Sequence, residues 1–172
     1  MAISRFLIPL LLLVAPAVAP AASKLAASAY TKLDLDRCTE VEHEDEGSWA
    51  RWKCAGYGRI PLWVEVGDER FDVDAGDRPD DEGRFGSTFD SPPSTVEWRH
   101  SAGRPFAIIY RLTTANPDVP TTSLLVVERI GQGKTMGCRV AEIPGSTKNA
   151  NLRARAIADA IPAGRTKCLG SR

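Results

Sequence analysis

The chain has 172 residues, with 22 Lys plus Arg against 22 Asp plus Glu, so its formal net charge is zero. That balance argues against a nucleic-acid partner, because phosphate-binding domains carry a basic excess. Four Trp, three Tyr and five Phe argue against disorder, and the length suits one domain with a single core.

Residues Met1 to Ala22 read as an export signal. Arg5 supplies the positive charge, Phe6–Val14 (FLIPLLLLV) is the apolar run, and Ala15–Ala22 (APAVAPAA) offers small residues for cleavage. Pro20 would disfavour cleavage after Ala19, so the expected cut follows Ala21, giving a signal peptide over 1–21 and one domain over 22–172. The run is too short, and too interrupted by Pro9, Pro16 and Pro20, to be a membrane anchor. No Cys follows it to carry a lipid. The expectation is a periplasmic or secreted protein with no stable membrane anchor after cleavage. The mature chain then holds 21 basic and 22 acidic residues, net −1, with acid gathered in Glu40–Glu46 and Asp68–Glu82 and base near the C-terminus.

Cys38, Cys54, Cys138 and Cys168 are the only cysteines. An even number in an exported chain predicts disulfides, and of three possible connectivities the spacing favours Cys38–Cys54 with Cys138–Cys168. Zinc is poorly served, since there is no CxxC and the only histidines are His43 and His100.

Along the mature chain, Tyr30–Leu35 has weak strand character and Glu40–Gly47 reads as an acidic loop. Ser48–Cys54 is a candidate strand on which Trp49 and Trp52, three apart, cannot share a face. Ile60–Val66 alternates clearly, with Leu62, Val64 and Val66 on one side and Trp63 and Glu65 on the other. Gly67–Asp68 reads as a turn into Arg70–Val73, and Gly76–Pro93 as a long connection. Thr95–His100, Arg104–Thr113, Thr121–Ile130 and Lys134–Ile143 are further strands. Arg104–Thr113 should be central, and Gly131-Gln132-Gly133 should form a hairpin loop between the last two. A final helix, capped by Ser146 or Thr147, presents Ala150, Ala154, Ile157 and Ile161 on one face, and Pro162 and Gly164 stop it. The fold expected is mainly β (α+β): an antiparallel sheet or sandwich of about six to eight strands with one C-terminal helix and two disulfides.

Motifs for chemistry are sparse. Gly131-Gln132-Gly133-Lys134-Thr135 resembles the end of a phosphate-binding loop, but the first glycine is missing, with Glu at 128, and a strand follows instead of a helix. Asp72, Asp74 and Asp77 are hard oxygen ligands that suit calcium, yet EF-hand spacing puts Gly76 and Asp77 at the fifth and sixth positions and no Glu at the twelfth. His43 sits among Glu40, Glu42, Glu44, Asp45 and Glu46 without a second nitrogen ligand nearby. Neither a Gly-x-Ser-x-Gly elbow nor a His-Glu-x-x-His occurs. No catalytic residue, metal site or cofactor is therefore assigned, and the residues lean against an enzyme.

Aromatic residues are the stronger signal. Trp49, Trp52, Tyr57 and Trp63 crowd around Cys54, with Arg70 nearby. They either fill the core over the Cys38–Cys54 bridge, the favoured reading, or form a stacking surface for another protein or a glycan.

The opening Tyr30–Cys38 (YTKLDLDRC), the run Trp52–Gly58 (WKCAGYG) and Asp68-Glu69-Arg70 resemble a group of secreted proteins of Gram-negative bacteria with no assigned activity. The resemblance covers about the first third of the mature chain and implies export and disulfides. The architecture is also similar in class to small periplasmic inhibitors of host lysozyme. The function expected is a non-enzymatic binding or inhibitor module. Its alternatives are an envelope hydrolase using carboxylates of Asp68–Asp90 and a structural component of the envelope.

Overall fold

The computed structural model describes residues 26–77, 89–115 and 118–170; the expected signal peptide lies outside them. In chain order the strands are β1 (Ala27–Lys32), β2 (Thr39–His43), β3 (Ala50–Tyr57), β4 (Ile60–Gly67), β5 (Arg70–Ala75), β6 (Asp90–Ser91), β7 (Thr95–Ser101), β8 (Arg104–Thr114), β9 (Ser123–Arg129) and β10 (Cys138–Pro144). Helix α1 (Ala150–Asp159) follows. All strand pairings are antiparallel. The larger sheet runs β1-β7-β8-β9-β10, with β6 on the end of β8, and the smaller runs β2-β3-β4-β5.

The molecule is mainly β with one C-terminal helix, and Cys38–Cys54 and Cys138–Cys168 are both closed. Two of the ten strands fall in segments expected to be loops. Thr39–His43 pairs with β3 despite its acidic composition, because its side chains all face solvent and need no apolar alternation. Asp90–Ser91 pairs with only two residues of β8.

Alternation decides which residues the layers share. Leu62 and Val64 of β4 and Val73 of β5 pack against Val96, Trp98, Ile108, Tyr110 and Val126 of the larger sheet. The opposite face of that sheet carries Ala107, Ile109, Leu125 and Val127, which meet Ala150, Ala154 and Ala158 of the helix and Ile161 beyond it. Strands β8 and β9 are therefore buried on both faces, and this is why both read as nearly continuous apolar runs. Alanine every fourth residue along the helix lets it lie close on the sheet. The expected Ser146 or Thr147 cap is not used. A turn with Ala150 N–H donating to Thr147 O leads instead to Asn149, left-handed at φ 59°, with no side-chain cap.

Three hairpins take two-residue turns: Gly58-Arg59 joins β3 to β4 with positive φ at Gly58 alone, and the other two have positive φ at both central positions. Asp68-Glu69 joins β4 to β5, and Ala102-Gly103 joins β7 to β8. The wider connection between β9 and β10 differs from the expected hairpin, since Gly131 is drawn away to pair with Gly76 in parallel. Its N–H donates to Ala75 O at 2.9 Å, and Asp77 N–H donates to Gly131 O at 3.1 Å. This bridge fastens the end of β5 to the larger sheet.

Gly76, at φ 114°, has no room for a side chain, because a Cβ there would lie 1.9 Å from Gly131 O. Gly103 also has positive φ but open space around it. Gly76→Ala should cost more than about 2 kcal/mol in urea unfolding, against about 1 kcal/mol for Gly103→Ala. Equal costs would mean that the bridge does not constrain the fold.

Candidate functional site

The five aromatic and cationic residues singled out above do not form one surface. Trp52 and Tyr57 turn inward against the core between the sheets. The Tyr57 ring lies 6.0 Å from Trp98 and stacks on His100 at 5.6 Å with 13° between planes. Trp63 points to the other face of the smaller sheet, as its alternation with Leu62 and Val64 requires. There it is half-buried, with Arg51 at 5.1 Å and Lys53 at 5.2 Å over the ring, and Nε1 donates to Gly76 O at 2.8 Å. Its surface is thus occupied by two cations of its own sheet.

Trp49 and Arg70 do meet. They line a depression of about 760 Å³ between the β2–β3 and β4–β5 loops, together with Glu44, Glu46, Ser48 and Asp68. Arg70 Nη2 donates to Asp68 Oδ2 at 3.0 Å, while Asp68 also accepts from the Ser48 hydroxyl. Arg70 Nε is buried and has no hydrogen-bond partner. Nη2 of the guanidinium is thus engaged, while the unpartnered Nε is enclosed by the protein. Glu65 of β4 is buried. Burial pushes the Glu65 pKa up, and Arg51, with Nε 3.0 Å from Oε1, opposes that shift. The Arg51–Glu65 contact is an ion pair without hydrogen-bond alignment, since Arg51 Nε makes no hydrogen bond.

A second cluster, absent from the sequence reading, lies inside the molecule. Arg139 of β10 is 1% exposed, and around it stand Asp72 of β5, Tyr110 of β8, Glu128 of β9 and Glu142. Its Nε donates to Glu128 Oε1 at 2.8 Å and its Nη1 to Glu142 Oε1 at 2.7 Å. Nη2 donates to Asp72 Oδ1 and, at 3.0 Å, to the Tyr110 hydroxyl, which in turn donates to Asp72 Oδ1 at 2.8 Å. Val73 N–H, on the edge strand β5, donates to the same hydroxyl at 3.2 Å.

Burial, followed by the charges of Asp72 and Asp74, pushes the Glu128 pKa well above the usual carboxylate range. Burial and Asp72 likewise raise that of Tyr110. For Arg139 burial works against the charge, but Tyr110, Asp72 and Glu128 outweigh it, so the pKa rises and the guanidinium stays charged. Glu128 turns Oε1 to Arg139, and its Oε2 is buried without a hydrogen-bond partner. Perturbed acids often mark active sites, but these are sealed between the sheets, with Asp72 at 4%, Tyr110 at 2% and Glu128 at 1% exposure. The arrangement clamps two sheets together and offers no approach to a substrate.

A signal for this cluster was present in the sequence. In Ser123–Arg129 (SLLVVER), Glu128 falls on the same face as Leu124 and Val126, and in Cys138–Pro144 (CRVAEIP) Arg139 pairs with Glu128 across the strands. A charge in register with a buried face requires an opposite charge on an adjoining element. Of the three aspartates considered for calcium, Asp72 is committed to Arg139. No group of three or more His, Cys, Asp or Glu arranged for a metal occurs among the described residues. His43 lies on the exposed strand β2, 3.0 Å from Glu40 and 3.4 Å from Asp45.

Comparison with known proteins gives no family model, curated protein or solved structure that matches this chain. No helix among the described residues is long and apolar enough to cross a membrane.

The raised Glu128 pKa carries a sign. Because the folded state holds this proton more tightly than the unfolded chain, the stabilisation is complete below the unfolded value. It is lost as pH rises toward and through the folded one, at up to about 1.4 kcal/mol per pH unit. Glu128→Gln keeps a neutral side chain of the same shape, so its unfolding free energy should fall less than that of the wild type between pH 5 and pH 9. Parallel declines in urea titrations would show that Glu128 is ionised in the fold.

Proposed function

We propose that this chain is an exported, non-enzymatic binding domain that recognises another protein through the depression where Trp49 and Arg70 meet. The observation that carries this reading is the placement of an aromatic ring and a partly exposed arginine in one depression between two hairpin loops. Trp and Arg dominate the energetics of protein interfaces, because each combines a large contact area with polar groups that reward one orientation. An acidic side chain of a partner would pair with the part of the Arg70 side chain that stays exposed beside Asp68, and a flat apolar or aromatic group would cover Trp49. Export accords with the two disulfides, which persist in oxidising compartments, and with the resemblance of the Tyr30–Cys38 and Trp52–Gly58 segments to secreted proteins.

Lysozymes and envelope proteins are the first partners to test, the former by analogy of size and disulfide content with small periplasmic inhibitors. The purified disulfide-bonded protein should bind a defined partner at one-to-one stoichiometry. Trp49→Ala and Arg70→Ala should each weaken that complex at least tenfold, about 1.4 kcal/mol, while both variants remain folded at the temperature of the assay. Binding that survives both substitutions undiminished would remove this surface from the account, and binding of free glycan alone would replace a protein partner with a carbohydrate.

A further inference from the structure

The two sheets end on strands β1, β10, β2 and β5, and three of these edges are closed or defended against an added strand. On β10 the C-terminal tail takes a carbonyl, with Leu169 N–H donating to Arg139 O at 2.8 Å. On β5 the Tyr110 hydroxyl accepts Val73 N–H, and Gly76 beyond it is bridged to Gly131. Strand β2 carries Glu40, Glu42 and His43, with a register break between Glu40 and Glu42, so charge and irregularity both oppose pairing.

Strand β1 has none of these protections. It pairs with β7 over six residues without a register break, contains no proline and carries one charge, Lys32, at its end. In the same register Leu33 N–H donates to Ser94 O at 3.0 Å. Alternation along an antiparallel ladder then turns the N–H and C=O groups of Ala29 and Thr31 toward β7, and those of Ser28, Tyr30 and Lys32 outward. No strand among the described residues pairs with that outer side. Apolar surface lies beside it. Tyr30 is 59% exposed and its hydroxyl accepts from Arg155 Nη2 at 3.1 Å, while Leu152, one helical turn before Arg155, is 62% exposed. A regular, weakly charged edge flanked by exposed apolar side chains is the kind that another strand joins.

We infer that the outer side of β1 pairs with β1 of a second copy of this chain, joining the two larger sheets across a two-fold axis. With the axis at Tyr30, Ser28 faces Lys32 of the second copy, Tyr30 faces Tyr30, and Lys32 faces Ser28. All three positions have backbone groups turned outward, so each pair can exchange its hydrogen bonds. Side chains suit this self-pairing. The two Tyr30 rings meet on one face as a cross-strand aromatic pair. The two Lys32 residues are set four positions apart along the strands, about 14 Å, where their repulsion is screened at physiological salt. Self-pairing of β2 would instead gather Glu40 and Glu42 from both copies. The contact is short, so the dimer is a weak one. It shares no residue with the Trp49–Arg70 depression, and each stands or falls without the other.

Two measurements on the disulfide-bonded protein test this. In sedimentation equilibrium the mean mass should rise from one copy toward two between about 10 μM and about 1 mM. Tyr30→Lys, which sets two ammonium groups at the axis, and Tyr30→Pro, which removes an outward N–H and leaves the β7 ladder its own donors, should each weaken association at least tenfold. In hydrogen exchange of the unsubstituted protein, the amides of Ser28, Tyr30 and Lys32 should gain protection as concentration rises, while those of Thr31 and Leu33 are protected throughout. A one-copy mass up to about 1 mM, association that survives both substitutions, or concentration-dependent protection at a different edge would overturn the inference.

Discussion

Arg139 brings a full positive charge into the space between two sheets, and a charge in that position is tolerable only where opposite charge and hydrogen-bond acceptors surround it. Here the surroundings come from four different strands. Asp72 belongs to the smaller sheet, while Tyr110, Glu128 and Glu142 belong to the larger. Apolar contacts alone are forgiving of small slides, because Leu62, Val64 and Val73 could find comparable partners one step along. A guanidinium with all three nitrogens engaged is not forgiving. A shift of one residue in β5 would turn Asp72 away and leave the charge without its cross-sheet partner. The network thus sets the position of β5 against β8, and with it the relation of the two sheets.

Other features follow from that placement. Strand β5 is an edge strand whose Val73 N–H would lack a sheet partner, and the Tyr110 hydroxyl accepts it instead. The chain then leaves β5 through Gly76, where contact with Gly131 continues the fastening. Asp72, Glu128 and Glu142 all contact one guanidinium, so carboxyl groups outnumber the cation there, and burial together with the charges of Asp72 and Asp74 raises the Glu128 pKa. Far from this clamp a second network ties strand β1 to the helix. Arg99 contacts Ser28 and Asp159, and Arg155 contacts Glu97 and the Tyr30 hydroxyl. The exposed edge of β10 is closed by the C-terminal tail, where Leu169 N–H donates to Arg139 O beside the Cys138–Cys168 bridge.

Much of this was legible in the sequence. The disulfide pairing followed from spacing, because neighbouring cysteines in a meandering chain meet most readily. The central place of Arg104–Thr113 followed from its apolar content, and the helix from alanine and isoleucine at helical spacing. The strand Thr39–His43 was hidden because a wholly exposed edge strand leaves no period-two signature. The two-residue turn at Asp68-Glu69 was displaced by one, since Gly67 attracts the assignment while Asp68 and Glu69 carry the positive φ. For the aromatic residues, sequence proximity around Cys54 suggested one cluster. Alternation along β3 and β4 separates them instead, with Trp52 in the core and Trp63 on the far face. Trp49 and Arg70 come together only because two loops, distant in sequence, stand side by side.

The perturbed acids thus belong to the architecture. That role depends on the clamp being energetically real, and a double-mutant cycle across the sheets tests it most directly. Asp72→Asn, Arg139→Met and the double variant would be unfolded in urea at pH 7. The two single changes should each be costly and strongly non-additive, with a coupling energy of about 1–3 kcal/mol, because either one removes the same cross-sheet contact. Additivity within about 0.3 kcal/mol would contradict the account, since Arg139 and Asp72 would then be neighbours without holding the sheets together.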